Sequence, residues 1–167
     1  MSQSRTEPVD VKVADEVFLV TAALHRENPD REDFTISEIV ARAARENLTG
    51  ELRPGVRVHA SLHCVANKAP NPGRYRMLYA TDKRTRRLLR SGDDVHPLRT
   101  GKIWPEPEDV PTKYRELLEW AKRRYGTSPP VTTRWLEGIF QLRGIGRQLW
   151  RNEDPDEYVR RLRENWE

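Results

Sequence analysis

Proline and glycine divide the first 90 residues into three short helical segments and a pair of strands, and this division constrains the fold most. A helix is predicted over about 11–27, where apolar residues recur every three or four positions, as they do on one buried face. Asn28-Pro29-Asp30 ends it, because a residue that precedes proline disfavours helical backbone. The apolar stripe comprises Val13, Val17, Val20 and Leu24.

A capping box opens the second helical segment. The Thr35 hydroxyl can accept a hydrogen bond from the Glu38 N–H, and the Glu38 carboxylate can accept one from the Thr35 N–H. The helix is predicted to run to about residue 47, and Gly50 can adopt the positive φ that follows a helix end. Its apolar face comprises Ile36, Ile39, Val40 and Ala43.

The third helix is predicted over about 54–68 and stops at Pro70-Asn71-Pro72-Gly73. Val58, Leu62 and Val65 are spaced four and three residues apart, which predicts that they face the core. The opposite face would then point away from the core. It comprises Val56, Ala60, His63 and Asn67.

An alternating pattern over 75–79 predicts a strand, and 86–90 can return as a second strand after a polar connection. Three helices followed by a hairpin are the order of a winged helix-turn-helix domain. A further amphipathic helix is predicted over about 112–125, after a loop. The expected fold is therefore α+β, mainly α: a winged helix-turn-helix, an extra helix and an extended helical C-terminal tail.

Positive charge is concentrated in the middle of the chain. Residues 53–102 hold 12 basic and 3 acidic residues, although the whole chain has a net charge of only +4. A local positive field attracts polyanions, and in a helix-turn-helix the last helix enters the major groove while the hairpin contacts the backbone. The alternative is that the hairpin arginines only solubilise an edge strand. The predicted DNA-binding residues are Arg57, Ala60, His63, Asn67, Lys68, Arg74, Arg76, Lys83, Arg84, Arg86 and Arg87.

Residues 9–125 resemble a winged-helix module that recurs beside restriction-type nuclease domains in prokaryotes. The resemblance lies in His59-Ala-Ser-Leu-His-Cys-Val-Ala-Asn67, Tyr75-Arg-Met-Leu-Tyr79 and Gly92-Asp-Asp-Val-His-Pro97. It implies a DNA-recognition accessory rather than a catalyst. Asp82-Lys83-Arg84 stands where a tight turn would carry glycine, so a longer or looser wing is expected.

A proline-rich linker at 126–134 leads to a tail at 135–167 that is too short to form its own core. The tail either folds back on its own domain or buries its large apolar residues in a partner, for which Trp and Arg are common anchors. The predicted partner-binding residues are Trp135, Leu136, Ile139, Phe140, Arg143, Arg147, Leu149, Trp150, Arg151, Tyr158 and Leu162.

Two segments of the tail, 142–150 and 154–163, resemble the neutralising tail of VapB-type antitoxins. The resemblance implies a PIN-domain ribonuclease toxin as partner, with Arg147 inserted into its acidic, Mg²⁺-binding site and Arg143 and Arg151 as weaker candidates. The expected function is that of a type II antitoxin that also binds its operator DNA, in a homo-oligomer or a toxin–antitoxin hetero-oligomer. The alternative is a DNA-binding accessory or transcription regulator without a toxin.

Neither a catalytic nor a cofactor site is expected. Asp93, Asp94 and His96 are poor candidates for metal ligands, because adjacent loop residues rarely face one ion. Cys64 lies beside core positions and is expected to be a buried thiol. A single cysteine, the lack of a long apolar run and an N-terminus unlike a secretory signal predict a cytoplasmic protein without a membrane segment.

Overall fold

The computed structural model describes residues 10–126, which belong to the first of two units into which the chain divides, Met1–Thr132 and Thr133–Glu167. The described part is mixed α+β and mainly helical. No helix within it is long and apolar enough to cross a membrane. In chain order its helices and strands are α1 (Val13–Glu27), β1 (Phe34–Thr35), α2 (Ile36–Glu46), α3 (Gly55–Val58), a π-helical turn (His59–His63), β2 (Leu78–Ala80), β3 (Thr85–Leu88) and α4 (Arg115–Tyr125), with short 3-10 turns at Pro107–Asp109 and Thr112–Tyr114.

Helix α1 is the centre of this unit and is buried on all sides from Ala14 to His25. The predicted stripe is part of the core, but a single buried face underestimates how much of the helix is covered. Two acidic residues on the remaining surface are buried as ion pairs: Lys102 Nζ lies 2.8 Å from Asp15 Oδ1, and Arg53 Nε donates to Glu16 Oε2 at 2.9 Å. Both partners are far along the chain, so periodicity could not reveal them.

The capping box of α2 is confirmed. Glu38 N–H donates to Thr35 Oγ1 at 3.1 Å, and Thr35 N–H donates to Glu38 Oε2 at 2.8 Å. The helix ends at Glu46, and Asn47, with φ of 50°, takes the left-handed conformation directly after it. Gly50 has φ of 88° and lies further along the same turn.

The three strands form one antiparallel sheet in the order β1-β3-β2. The two predicted strands are shifted: Leu78 pairs with Leu88, and the segment before Met77 pairs with a distant loop instead, where Arg76 N–H donates to Lys102 O at 3.0 Å. The outer edge of β2 is covered, because Val65 forms a parallel bridge with Leu78. The sequence pattern does not predict the short strand β1.

Helix α4 agrees with the predicted segment at 112–125, whose first turn is 3-10 rather than α. Its apolar face packs into the same core as α1. The buried residues of this face are Tyr114, Leu117, Leu118 and Ala121.

Candidate nucleic-acid interface

The predicted orientation of the third helix is wrong. Val56 and Ala60 are fully buried, whereas Val58 is 44% exposed. Of the predicted core stripe, Val65 is buried, but it lies beyond the end of the helical segment at His63. The chain offers two apolar stripes here, and the structure buries the one with small side chains, Val56, Ala60 and Cys64. Small side chains allow α3 to lie close to α1, so Ala60 is a packing residue and not a base-contacting one.

The helical segment is also shorter than predicted, because it ends at His63 rather than near Lys68. His63 is half-buried and its ring meets that of His59 edge-on, with ring centroids 4.7 Å apart. Burial lowers the pKa of His59, whose Nδ1 also lies 2.9 Å from Gly55 O. The two imidazoles therefore pack on each other at the end of the helix.

Two buried arginines bind carbonyl oxygens at the end of the helical segment. Arg86 Nε donates to Ala60 O at 3.1 Å, and Arg99 Nη2 donates to Leu62 O at 2.8 Å. Each of these residues is only 1% exposed, and within the part of the chain that the structure describes its guanidinium binds main-chain oxygens and no carboxylate. Burial lowers the pKa of both groups. The donors of Arg86 are therefore used inside the fold and are not available for the DNA contact predicted for this residue.

Arg87 and Asn67 also have structural partners. Arg87 makes a two-pronged ion pair with Asp93, at 2.6 and 2.7 Å, and its guanidinium lies 4.5 Å from the centroid of the Tyr79 ring. The Asn67 amide donates to Ala80 O at 3.0 Å and accepts from Ala80 N–H at 2.9 Å, which extends the edge of β2. Arg87 is thus buried and committed to these contacts, whereas Asn67 is half-buried and holds β2 through one amide N–H and its amide oxygen. The Asp93 carboxylate is likewise occupied, and no metal-binding cluster of His, Cys, Asp or Glu occurs among residues 10–126.

Arg74 and Arg76 lie at the opposite end of the hairpin from its turn. Arg74 is exposed, whereas Arg76 is half-buried and its Nε donates to Gly101 O at 2.8 Å. Lys68 is half-buried as well, and its pKa is lowered by burial and by the charge of Arg86. These predicted DNA-binding cations are therefore spread over the unit rather than gathered at the hairpin turn.

Five residues remain together on one accessible surface, which we call the α3–turn surface. Helix α3 contributes Arg57 and Val58, both exposed, and the π-helical turn that follows it contributes the half-buried Ser61. The turn between β2 and β3 contributes Lys83 and Arg84, both exposed. Among the described residues, its three cations have no carboxylate within 4.0 Å. Their charge is therefore available to a ligand.

The helix end and the turn are neighbours, because a single nitrogen atom of Arg86 bonds to both. Arg86 Nη2 donates to Ser61 O at 3.1 Å and to Lys83 O at 3.5 Å. The sequence prediction included the three cations but missed Val58 and Ser61. The signal that could have found them was the stripe of small residues at four-residue spacing, which identifies the closely packed face and leaves these two on the other.

The chain matches no family model, no curated protein and no solved structure at a significant level. The predicted partner-binding residues, from Trp135 to Leu162, lie outside the described residues.

Proposed function

We propose that residues 10–126 form a winged-helix-like domain that binds duplex DNA, with α3 directed at the major groove and the β2–β3 turn at the phosphate backbone. The single observation that carries this proposal is the α3–turn surface. It combines three cations that lack carboxylate partners in the described unit with an exposed apolar side chain, on a helix and a hairpin turn that Arg86 bridges. The chain order of three helices and a hairpin supports it.

Each residue type on this surface suits a particular part of a duplex. Arginine and lysine bind phosphate oxygens, which supplies affinity that is independent of base sequence. The Val58 side chain can contact the methyl group of thymine, and the Ser61 hydroxyl can bond a base edge or a phosphate. Asp82 is the one acidic residue of the turn, and its exposed carboxylate would have to point away from the phosphates of the DNA.

The test is a titration of the full-length chain with labelled duplex DNA over a range of salt concentrations. Replacing Arg57, Lys83 and Arg84 together by Ala should weaken binding and make the slope of log K against log salt shallower, by about one for each phosphate that the variant no longer neutralises. Arg123→Ala removes an exposed cation from α4 and should leave the slope unchanged. Absence of binding, or a slope that the triple variant shares with the wild type, would refute the proposal.

We further propose that the whole chain is the antitoxin of a type II toxin–antitoxin system and inhibits a PIN-domain ribonuclease through residues 135–167. The support is the sequence of the tail, in which Trp, Arg and Gly follow a proline-rich linker and resemble VapB-type tails. A guanidinium such as that of Arg147 would compete with Mg²⁺ for the clustered carboxylates of the toxin. DNA binding by the first unit would then regulate the operon.

Co-expression with the protein encoded by the neighbouring small reading frame tests the antitoxin proposal. We expect a stable complex, and we expect Arg147→Ala to reduce neutralisation more than Arg161→Ala, which removes a cation elsewhere in the tail. Arg57→Ala should reduce DNA binding and leave neutralisation intact. If no complex forms, or if deletion of residues 132–167 leaves neutralisation unchanged, the antitoxin proposal fails and a regulator without a toxin becomes the better description.

A further inference from the structure

We propose that Arg86 is a positioning residue that holds the β2–β3 turn in register with α3, so that the α3–turn surface fits a rigid duplex better than a flexible single strand. The inference rests on the proposed DNA binding, and it concerns a residue that does not itself reach the ligand.

The Arg86 guanidinium joins the helix end to the turn with all of its donors. A guanidinium has five N–H groups. Nε and Nη2 reach the helix, at Ala60 O (3.1 Å) and Ser61 O (3.1 Å). Two further bonds reach the turn, at Asp82 O (2.9 Å) and Lys83 O (3.5 Å), and one reaches Thr85 O (2.6 Å) at the start of β3. Every acceptor is a main-chain oxygen, so these bonds fix the backbone of both elements.

Other contacts hold the ends of the turn. Asn67, beyond the helical segment, bonds to Ala80 just before the turn, and two further contacts lie next to β1. Ile36 N–H donates to Arg84 O at 2.9 Å, and Thr81 Oγ1 lies 2.5 Å from Asp33 Oδ2. Within residues 10–126, the hydrogen bonds between the helical turn at His59–His63 and the turn residues all come from Arg86. Arg86 is therefore the side chain that links the helical turn directly to the residues between β2 and β3.

Burying the Arg86 guanidinium costs desolvation free energy, which indicates that the residue does more than fill space in the core. A guanidinium that is buried without a carboxylate partner loses its hydration. A protein in which well-packed apolar residues replace a buried charge is often equally stable. Here the carbonyl oxygens at the helix end supply part of the compensating negative potential. An apolar residue would fill the space without bonding to the turn, so it would not hold Lys83 and Arg84 in place.

A fixed spacing matters for a duplex because its phosphates are themselves fixed. A turn whose backbone is already fixed binds such a ligand without first having to be ordered, and ordering a loop on binding lowers affinity. A single strand can adapt its backbone to a loose turn and gains less from pre-organisation. Loosening the turn should therefore lower affinity for duplex DNA more than affinity for a single strand.

The experiment compares Arg86→Lys with Arg99→Lys in the full-length chain, using one sequence as duplex and as single strand at one salt concentration. Arg99 is the matched control: it is equally buried, binds only main-chain carbonyls among the described residues, and holds the same helix end, but to Lys68 and Tyr75 rather than to the turn. Both variants should lose thermal stability. Only Arg86→Lys should lower duplex affinity, by about tenfold, with a smaller loss for the single strand.

Equal losses of duplex preference in the two variants, or none in Arg86→Lys, would overturn the inference, because Arg86 would then be only structural. If Arg86→Lys does not fold, two glycines inserted between Lys83 and Arg84 loosen the turn with Arg86 intact, and an unchanged duplex preference in that variant would also overturn it. A wild-type chain that binds no duplex would instead refute the proposed function itself.

Discussion

The buried imidazole of His25 should make the stability of the first unit depend on pH. His25, on α1, is 2% exposed, packs against Phe34 of β1 and Tyr125 of α4, and accepts a hydrogen bond at Nε2 from Leu88 N–H of β3 at 3.3 Å. Burial, together with the charges of Arg90 and Arg87, lowers its pKa from 6.5 to about 4. The folded protein thus holds a neutral imidazole that the unfolded chain protonates at mildly acidic pH.

The direction in which stability changes with pH follows from the number of protons that each state binds. Between pH 6.5 and about 4 the unfolded chain binds more protons than the folded one, so stability falls as pH falls through this interval and is fully present above it. At 1.36 kcal/mol for each pKa unit, the contribution of His25 to the free energy of unfolding that is lost by pH 4 is about 3 kcal/mol. Burial lowers the pKa of His59 as well, so a smaller loss of the same sign should remain without His25.

The measurement is urea unfolding of the wild type and of His25→Gln between pH 7 and pH 4. Glutamine does not titrate, and its side-chain oxygen can still accept the bond from Leu88 N–H. We expect the free energy of unfolding of the variant to fall by about 3 kcal/mol less than that of the wild type over this range. His96→Gln, in a loop, is the control. If His25→Gln loses as much stability on acidification as the wild type does, the buried neutral imidazole is not the cause.

Two further predictions concern packing around α1 and the loop that precedes α4. Arg53→Met should lower the free energy of unfolding by about 3–5 kcal/mol, since it leaves the buried Glu16 carboxylate unpaired. Adding Glu16→Leu should recover most of that loss in urea unfolding, and no recovery would contradict this explanation. Gly101→Ala should cost about 1–3 kcal/mol, because a Cβ there would lie 2.5 Å from Arg74 O. Thr100→Ala, at an exposed neighbour, should change the melting temperature little, and an equal loss in both variants would count against the steric argument.

Features with local causes were predictable from the sequence. The capping box of Thr35 and Glu38 is contained within four residues, and the structure has both of its hydrogen bonds. The apolar face of α4 follows directly from its spacing. Strand β1 was not predictable in this way, because two residues have no periodicity and Phe34 and Thr35 become a strand only by pairing with β3.

The orientation of α3 shows where local pattern stops being sufficient. The stripe of Val58, Leu62 and Val65 and the stripe of Val56, Ala60 and Cys64 are both apolar at helical spacing. The choice between them depends on how close α1 approaches, which is a property of two helices rather than of one. Since that choice decides which side chains are accessible, it moved Ala60 from the proposed interface into the core and left Val58 exposed.

The sequence by itself determined the number and order of the main helices, the existence of the hairpin and the concentration of cations in residues 53–102. Only the tertiary structure decided what each cation does. Arg84 and Arg86 are two residues apart and chemically identical, yet one is exposed and the other is buried among carbonyl oxygens of Ala60 and Ser61. The physical reason is that a guanidinium is stable either in water or among enough acceptors, and acceptors from a distant helix end exist only after the chain has folded.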